Sequence, residues 1–261
     1  MAFTDSHAHL ADERFAADRE AVLARAQAAG VTRILTIAEA TKADECATTL
    51  ALAGQHDFLW AAAGVHPHEA RHATEKTFDA IEKLVESPRL LAWGEIGLDY
   101  HYDHSPRDVQ QAVFRRQLQR ARARKLPVII HCREAWNDCL EILGDEWVGA
   151  GLGGILHCFS DTAETAALAL GWGFLISFAG NVTFPRAENL RAAARAVPVE
   201  RLLIETDCPY LAPRSVRGQR NEPAHVGETA AELGRLHSIT REEMGARTTE
   251  NFLRLFPRAQ T

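Results

Sequence analysis

Eight short apolar runs recur along the chain at intervals of roughly 30 residues, and segments with helical periodicity lie between them. The runs are F-T-D-S-H near residue 5, R-I-L-T-I-A near 35, F-L-W-A-A-A-G-V near 61, L-L-A-W-G-E-I near 93, P-V-I-I-H-C near 130, G-G-I-L-H-C near 156, G-F-L-I-S-F near 175 and L-L-I-E-T-D near 204. Residues 16–29 illustrate the intervening pattern, an Ala- and Leu-rich helical stretch that Gly30 stops. Pro88 and Pro127 fall where helices should end and strands begin. Strand and helix signals in strict alternation require parallel strands joined by crossovers. Eight such units predict an α/β fold, a closed (β/α)8 barrel of the TIM type, formed as one domain over residues 1–261. A doubly wound open sheet is the alternative, but no Gly-rich phosphate loop follows the first run.

Composition sets outer bounds on function. A net charge of −6 argues against a broad basic surface for gripping duplex nucleic acid, yet it permits a pocket holding one or two phosphates. The stretch R-R-Q-L-Q-R-A-R-A-R-K, residues 115–125, reads as the solvated outer face of a helix. Asp5, His7, His9, Asp12 and Glu13 interrupt any apolar leader, and no run is long enough to span a membrane, so a cytoplasmic protein is expected. Cys46, Cys132, Cys139, Cys158 and Cys208 are odd in number and contain no C-x-x-C pair; they read as small apolar residues without disulfides.

The polar residues that punctuate the runs carry the chemistry. Asp5, His7 and His9 end the first strand, His66 and His68 follow the third, and Glu95 and Asp99 end the fourth. His131 ends the fifth with Arg133 beyond it, His157 ends the sixth, and Glu205, Thr206 and Asp207 end the eighth. In a parallel barrel all of these positions converge on the C-terminal rim. Residues i and i+2 of a strand share a side, so His7 and His9 can aim two imidazoles at one cation. Asp207 follows an apolar run, and a carboxylate there must be paired, hydrogen-bonded or on metal. Counting ligands gives two divalent cations. His7, His9, Glu95 and Asp207 can surround one; His131 and His157 can surround the second, with Glu95 bridging. Mixed nitrogen and oxygen donors suit Zn2+, Mn2+ or Ni2+ and admit Mg2+.

Taken in order, D-S-H-A-H-L, G-V-H-P-H, G-E-I-G-L-D-Y, P-V-I-I-H-C-R-E-A, L-H-C-F-S, L-L-I-E-T-D-C-P-Y-L and N-E-P resemble the sequence blocks of the TatD family of metal-dependent deoxyribonucleases, within the amidohydrolase-like barrels. The resemblance runs from residue 4 to about 226. It implies a TIM-type barrel with a two-metal site, in which His7, His9, Glu95, His131, His157 and Asp207 match the ligand positions. It also implies hydrolysis of phosphodiester bonds at DNA 3′ ends, with RNA as a further substrate. Two departures lie outside the ligands: Ala11 separates the first motif from Asp12, and Asp161 stands where the family usually has glycine.

Within that frame Glu95, Glu205 and Asp207 are the candidate catalytic residues. Asp207 either orients and deprotonates a water or is purely a ligand. Glu205 either fixes a ligand histidine or Asp207, or acts as a direct base. His66 and Arg133 are candidates for contact with a non-bridging phosphate oxygen. Arg214, with Arg217 and Arg220, lies on the irregular segment 212–223 and either grips flanking phosphates or is a solvated loop. The rival enzyme cleaves a C–N or ester bond in a small molecule; many such barrels bridge their metals with a carboxylated lysine. Lys42, Lys76, Lys83 and Lys125 all fall away from strand ends. A non-enzymatic barrel would show no catalysis after metal loading. No obligate protein partner is evident, and a monomer is expected.

Overall fold

The computed structural model describes residues 2–260. The eight strands are β1 (Phe3–Ala8), β2 (Val31–Glu39), β3 (Leu59–Gly64), β4 (Leu90–Asp99), β5 (Val128–Arg133), β6 (Gly154–Leu156), β7 (Phe174–Phe178) and β8 (Leu202–Ile204). Each pairs in parallel with the next, in the order β1 to β8. The ring is nearly closed: an isolated bridge joins Ala8 to Cys208, and the Asp207 N–H donates to the His7 carbonyl at 3.0 Å. Asp5 reinforces the seam, its carboxyl accepting from the Thr206 N–H at 2.9 Å and pairing with the Thr206 hydroxyl at 2.6 Å.

Helices α1 (Arg19–Ala28), α2 (Ala43–Gln55), α3 (Glu75–Leu84), α4 (Arg107–Ala123), α5 (Trp136–Glu146), α6 (Ala163–Gly171), α7 (Glu188–Ala196), α8 (Val226–His237) and α9 (Arg241–Leu255) complete the described regular elements apart from short 3-10 turns. Local chemistry starts and stops them. Thr74 caps α3 by accepting from the Thr77 N–H. Gly30, at φ +88°, provides the left-handed turn after α1 that its position predicts.

Period-two alternation divides the apolar side chains between two layers. Leu35, Ile37, Trp60, Ala62, Leu91, Ile129, Ile155, Leu175 and Leu203 fill the barrel, and Phe252 and Phe256 of the C-terminal region pack with them. Side chains of the other parity, such as Ile34, Ala61, Ile130 and Ile176, pack outward under the helices. The same parity carries the inner columns up to the rim: Ile129 leads to His131, Ile155 to His157, and Leu203 to Glu205.

Two strands break this rule. Between Trp93 and Ile96 three steps of β4 oppose two of β5, and between Asp5 and Ala8 three steps of β1 oppose two of β2. Such bulges re-aim side chains. Trp93 points outward, its indole N–H bonded to Gln117 on α4 at 3.1 Å, yet Glu95 two residues on reaches the interior. Gly97, at φ +143°, lies against the His131 backbone, where a Cβ would collide with the carbonyl; glycine lets β4 approach β5 at that level.

Three expectations are adjusted. β6 ends at Leu156 and β8 at Ile204, so His157, Glu205, Thr206 and Asp207 lie on the turns just beyond; Cys158 and Asp207 adopt left-handed φ values of +44° and +55°. Glu95 sits within β4 instead of at its end. The helix expected over residues 16–29 is shorter, with the 3-10 turn Glu13–Phe15 ahead of it. The arginines of residues 115–125 do lie on the outside of α4: Arg116 and Arg120 pair with Glu75, Arg120 and Arg124 with Glu82, and Arg115 with Asp145.

Candidate metal centre

At the C-terminal mouth the strand-end donors converge around a cavity of about 680 Å³ whose lining includes His9, His66, His68, Glu95, Asp99, His131, Arg133, His157 and Asp207. The two oxygens of Glu95 face different partners. Oε2 lies 3.3 Å from His7 Nε2 and 3.9 Å from His9 Nε2; Oε1 lies 2.9 Å from His131 Nδ1 and 2.6 Å from His157 Nε2. His7 and His9 bring their Nε2 atoms within 3.3 Å of each other, and Asp207 Oδ1 is 3.3 Å from His9 Nε2 and 3.8 Å from His7 Nε2. His131 Nδ1 and His157 Nε2 are 3.3 Å apart.

The 3.3 Å separations among His7, His9, Glu95 Oε2 and Asp207 and between His131 and His157 match donors around a divalent ion, since bonds of about 2.0–2.2 Å in tetrahedral geometry place ligand atoms roughly 3.3–3.6 Å apart, whereas the 2.6 and 2.9 Å contacts of Glu95 Oε1 are hydrogen bonds of the metal-free site. The proton positions agree. His157 turns its Nδ1 to Glu205 Oε1 at 3.1 Å, and His131 turns its Nε2 to Asp99 Oδ2 at 3.0 Å. Each carboxylate fixes an N–H on its side of the ring, so that the opposite nitrogen, which faces the cavity, is the one that can give up its proton to Glu95 or present a lone pair to a cation. Deeper in, His7 Nδ1 and Glu205 Oε2 are buried without hydrogen-bond partners, on the side of each group turned away from the donor set. By donor type, spacing and tautomer, the residues fit metal.

The electrostatics of the bare site show the same demand for positive charge. Burial works to raise the Glu95 carboxyl, but the imidazoles of His157, His7 and His66 prevail and hold it well below the usual carboxylate range. Burial opposes charge on His157, yet Glu95 and Glu205 push its pKa well above the normal imidazole value. Against the same burial, Asp207 raises His9, and Asp99 with Glu95 raises His131. Protons on imidazoles balance the carboxylates until cations replace them.

Around this cluster the other named residues divide. Glu205, fully buried, sits behind His157. His66 Nδ1 accepts the His68 N–H at 3.1 Å, so its proton resides on Nε2, 3.6 Å from Glu95 Oε1. Arg133 lines the cavity with its guanidinium 4.8 Å above the Tyr102 ring. Arg214 does not line the cavity and sits on an exposed 3-10 turn. Arg220 is pinned by Asp18 at 2.7 Å, and Arg217 stacks on Phe184 at 4.5 Å, so neither is poised over the donors. Asp161 accepts from the Thr165 hydroxyl at the start of α6. All five thiols are free; Cys132, Cys158 and Cys208 are driven well above the ordinary thiol pKa by burial, which disqualifies them as nucleophiles.

Sequence reasoning marked Asp99 only as a strand-end carboxylate. Its role is larger: Oδ2 accepts from both His131 Nε2 at 3.0 Å and His68 Nε2 at 2.9 Å, while Gln110 on α4 clamps its backbone. The G-L-D-Y context carried no signal for that double contact. Lys42, Tyr102 and Tyr210 also line the cavity. The Lys42 amine faces Glu45 at 3.7 Å, and among the described residues Lys42 is the one lysine in the cavity lining.

The TatD related DNase family matches residues 4–257. The chain belongs to the TatD family. It is 42% identical over 256 residues to the uncharacterized metal-dependent hydrolase YabD of Bacillus subtilis, covering 97% of this chain and 98% of that protein. It is 36% identical over 258 residues to the 3′-5′ ssDNA/RNA exonuclease TatD of Erwinia tasmaniensis, covering 97% and 98% of the two chains. The crystal structure of YjjV, a TatD homolog of Escherichia coli K12, superposes with a TM-score of 0.91 at 31% identity, over 98% of each chain. This TatD protein is therefore a metal-dependent hydrolase on a TIM-type barrel, with the His and Glu groups at its mouth as the candidate metal donors. Among its described residues no helix is long and apolar enough to cross a membrane.

Proposed function

We propose that the chain hydrolyses phosphodiester bonds at the 3′ end of single-stranded DNA, and of RNA, with two divalent cations of the Zn2+, Mn2+, Mg2+ or Ni2+ class. The observation that carries this reading is the division of Glu95: one oxygen faces His7 and His9, the other His131 and His157. A carboxylate so placed is suited to bridge two ions. In this assignment Asp207 completes the first set. Bound cations would polarise the phosphate and lower the pKa of a nucleophilic water.

The chain's own groups do the rest. Asp207, at the open side of the first donor set, orients the water and takes its proton. As the water oxygen bonds to phosphorus, the P–O3′ bond breaks and the leaving 3′ oxygen takes up the proton that Asp207 received, which returns Asp207 to its carboxylate. His66, with its proton on Nε2, donates to a non-bridging phosphate oxygen, and Arg133 offsets the charge there. Glu205 and Asp99 are positioning residues, holding His157 and His131 in the tautomers that face inward. The protein is taken to act as a monomer, and five free thiols suit the cytoplasm. The relative described as a 3′-5′ ssDNA/RNA exonuclease supports the substrate class.

Metal-stripped protein reloaded with each cation should cleave single-stranded DNA, RNA and bis-p-nitrophenyl phosphate. Turnover of a dipeptide alone would replace this reading with that of a C–N hydrolase. Asp207→Asn should retain the fold and lose about 10²–10⁴-fold in rate on the diesters; full activity would remove Asp207 from its role.

A further inference from the structure

The large hydrophobic side chains left exposed on the described surface are Tyr102, Leu168 and Tyr210, and both tyrosines line the donor cavity. Tyr102 is 51% exposed and Tyr210 is 48% exposed, so each half-ring faces water at the mouth. They follow β4 and β8. In a ring of eight strands in sequential order, strands four apart lie on opposite sides, so the rings stand across the mouth from each other with the donors between. Tyr210 is on the His9 side, its ring 5.9 Å from that imidazole; Tyr102 is on the His131 side, 5.5 Å from the His68 ring that shares Asp99 with His131.

Both rings are anchored to the site's own framework. The Tyr102 N–H bonds Asp99 Oδ1 at 3.0 Å; the Tyr210 N–H bonds the Asp207 carbonyl at 2.9 Å, and its own carbonyl accepts from Asn221 at 2.7 Å. An arginine lies over each, Arg133 at 4.8 Å from the Tyr102 centroid and Arg14 at 4.3 Å from that of Tyr210. His104 already lies parallel to Tyr102 at 5.5 Å, as an aromatic partner does, and Arg14 is itself paired with Asp12 at 2.7 Å, so the half-exposed rings supply base-stacking surface at both places and Arg133 supplies the charge for a phosphate backbone.

We propose that Tyr102 and Tyr210 bracket the scissile phosphodiester, each stacking one of the two nucleobases that flank it. The inference rests on the phosphodiesterase reading above and extends it to a source of strand selectivity. Bases stacked inside a duplex cannot reach two rings on opposite sides of a cavity, whereas splayed single-strand bases can.

The test pairs ring removal with base removal. Wild type, Tyr102→Leu, Tyr210→Leu and the two Phe variants are assayed on three single-stranded oligonucleotides: intact, abasic at the 3′-terminal nucleotide, and abasic at the penultimate one. In wild type each missing base should lower kcat/KM by roughly 5- to 150-fold, the range of one base–aromatic stack. Each Leu variant should lose a similar factor on the intact strand and cease to discriminate at one abasic position, a different one for each tyrosine. The Phe variants should keep discrimination, since the ring remains. Discrimination unchanged from wild type, equal losses on all three substrates, or both rings coupling to the same position would overturn the bracket. If metal-loaded wild type cleaves no oligonucleotide, the phosphodiesterase reading falls first and the bracket with it. If it cleaves all three but the ratios do not move, only the bracket falls.

Discussion

Replacing Asp99 by asparagine changes one atom's hydrogen-bonding character at the point where two imidazoles are steered. Asp99 is 1% exposed and fully engaged: Oδ1 accepts the backbone N–H groups of His101 and Tyr102, each at 3.0 Å, and Oδ2 accepts His68 Nε2 at 2.9 Å and His131 Nε2 at 3.0 Å. Asparagine offers one accepting oxygen. If that oxygen serves the backbone pair, the amide NH2 faces two imidazoles, and each must present a lone pair at Nε2. The His131 proton then moves to Nδ1, the atom 2.9 Å from Glu95 Oε1, and the donor is lost to the metal. If the amide turns over, two backbone N–H groups meet an NH2, at about 1–3 kcal/mol for each buried group left unpaired. The first arrangement therefore prevails, and its effect is on the site more than the fold. Disrupting a ligand's outer partner typically weakens metal affinity 10–100-fold, about 1.4–2.7 kcal/mol. Calorimetric titration of metal-free wild type and Asp99→Asn with Zn2+ or Mn2+ measures this, with circular dichroism verifying the fold. On the two-cation proposal, the weakened event should be the one that uses His131 and His157, while binding at His7 and His9 persists. A folded variant with both affinities within about twofold of wild type would refute the tautomer argument.

Two further outcomes follow from the same geometry. In the bare site His9, His131 and His157 have raised pKa values, so they stabilise the metal-free protein below pH 6.5 and this contribution is lost as pH rises through those raised values. Incoming cations must displace the protons, so metal affinity and the metal-induced gain in Tm should both be larger at pH 8 than at pH 6, with proton release visible as buffer-dependent heats; equal gains and no release would contradict the assignment. Gly97→Ala should cost about 1–3 kcal/mol in backbone strain alone and push His131 away from Glu95, seen as a lower urea midpoint together with weaker metal binding; a neutral result would show that the approach of β4 to β5 at this level is not needed.

Much of this molecule is written locally. Alternation of short apolar runs with helical segments suffices for a parallel barrel, because each element must bury one face and crossovers of one hand leave few arrangements. Period two then carries Ile129 to His131, Ile155 to His157 and Leu203 to Glu205, so three strands announce inward polar groups directly. At β1 and β4 that arithmetic fails. The extra residues between Asp5 and Ala8 and between Trp93 and Ile96 reset the parity, and bulges depend on the neighbouring strand's register, which no local run encodes. The same holds for hydrogen bonds across long separations in sequence. That Asp99 holds both His68 and His131, and that Glu205 stands behind His157, depends on residues 31 to 48 positions apart meeting at one rim, from His68 to Asp99 and from His157 to Glu205. Residue types and strand ends named the candidate donors; only the nearly closed ring decided which nitrogen of each imidazole faces inward, which arginines of the last loop are tied up elsewhere, and that two tyrosines remain half-exposed at the mouth.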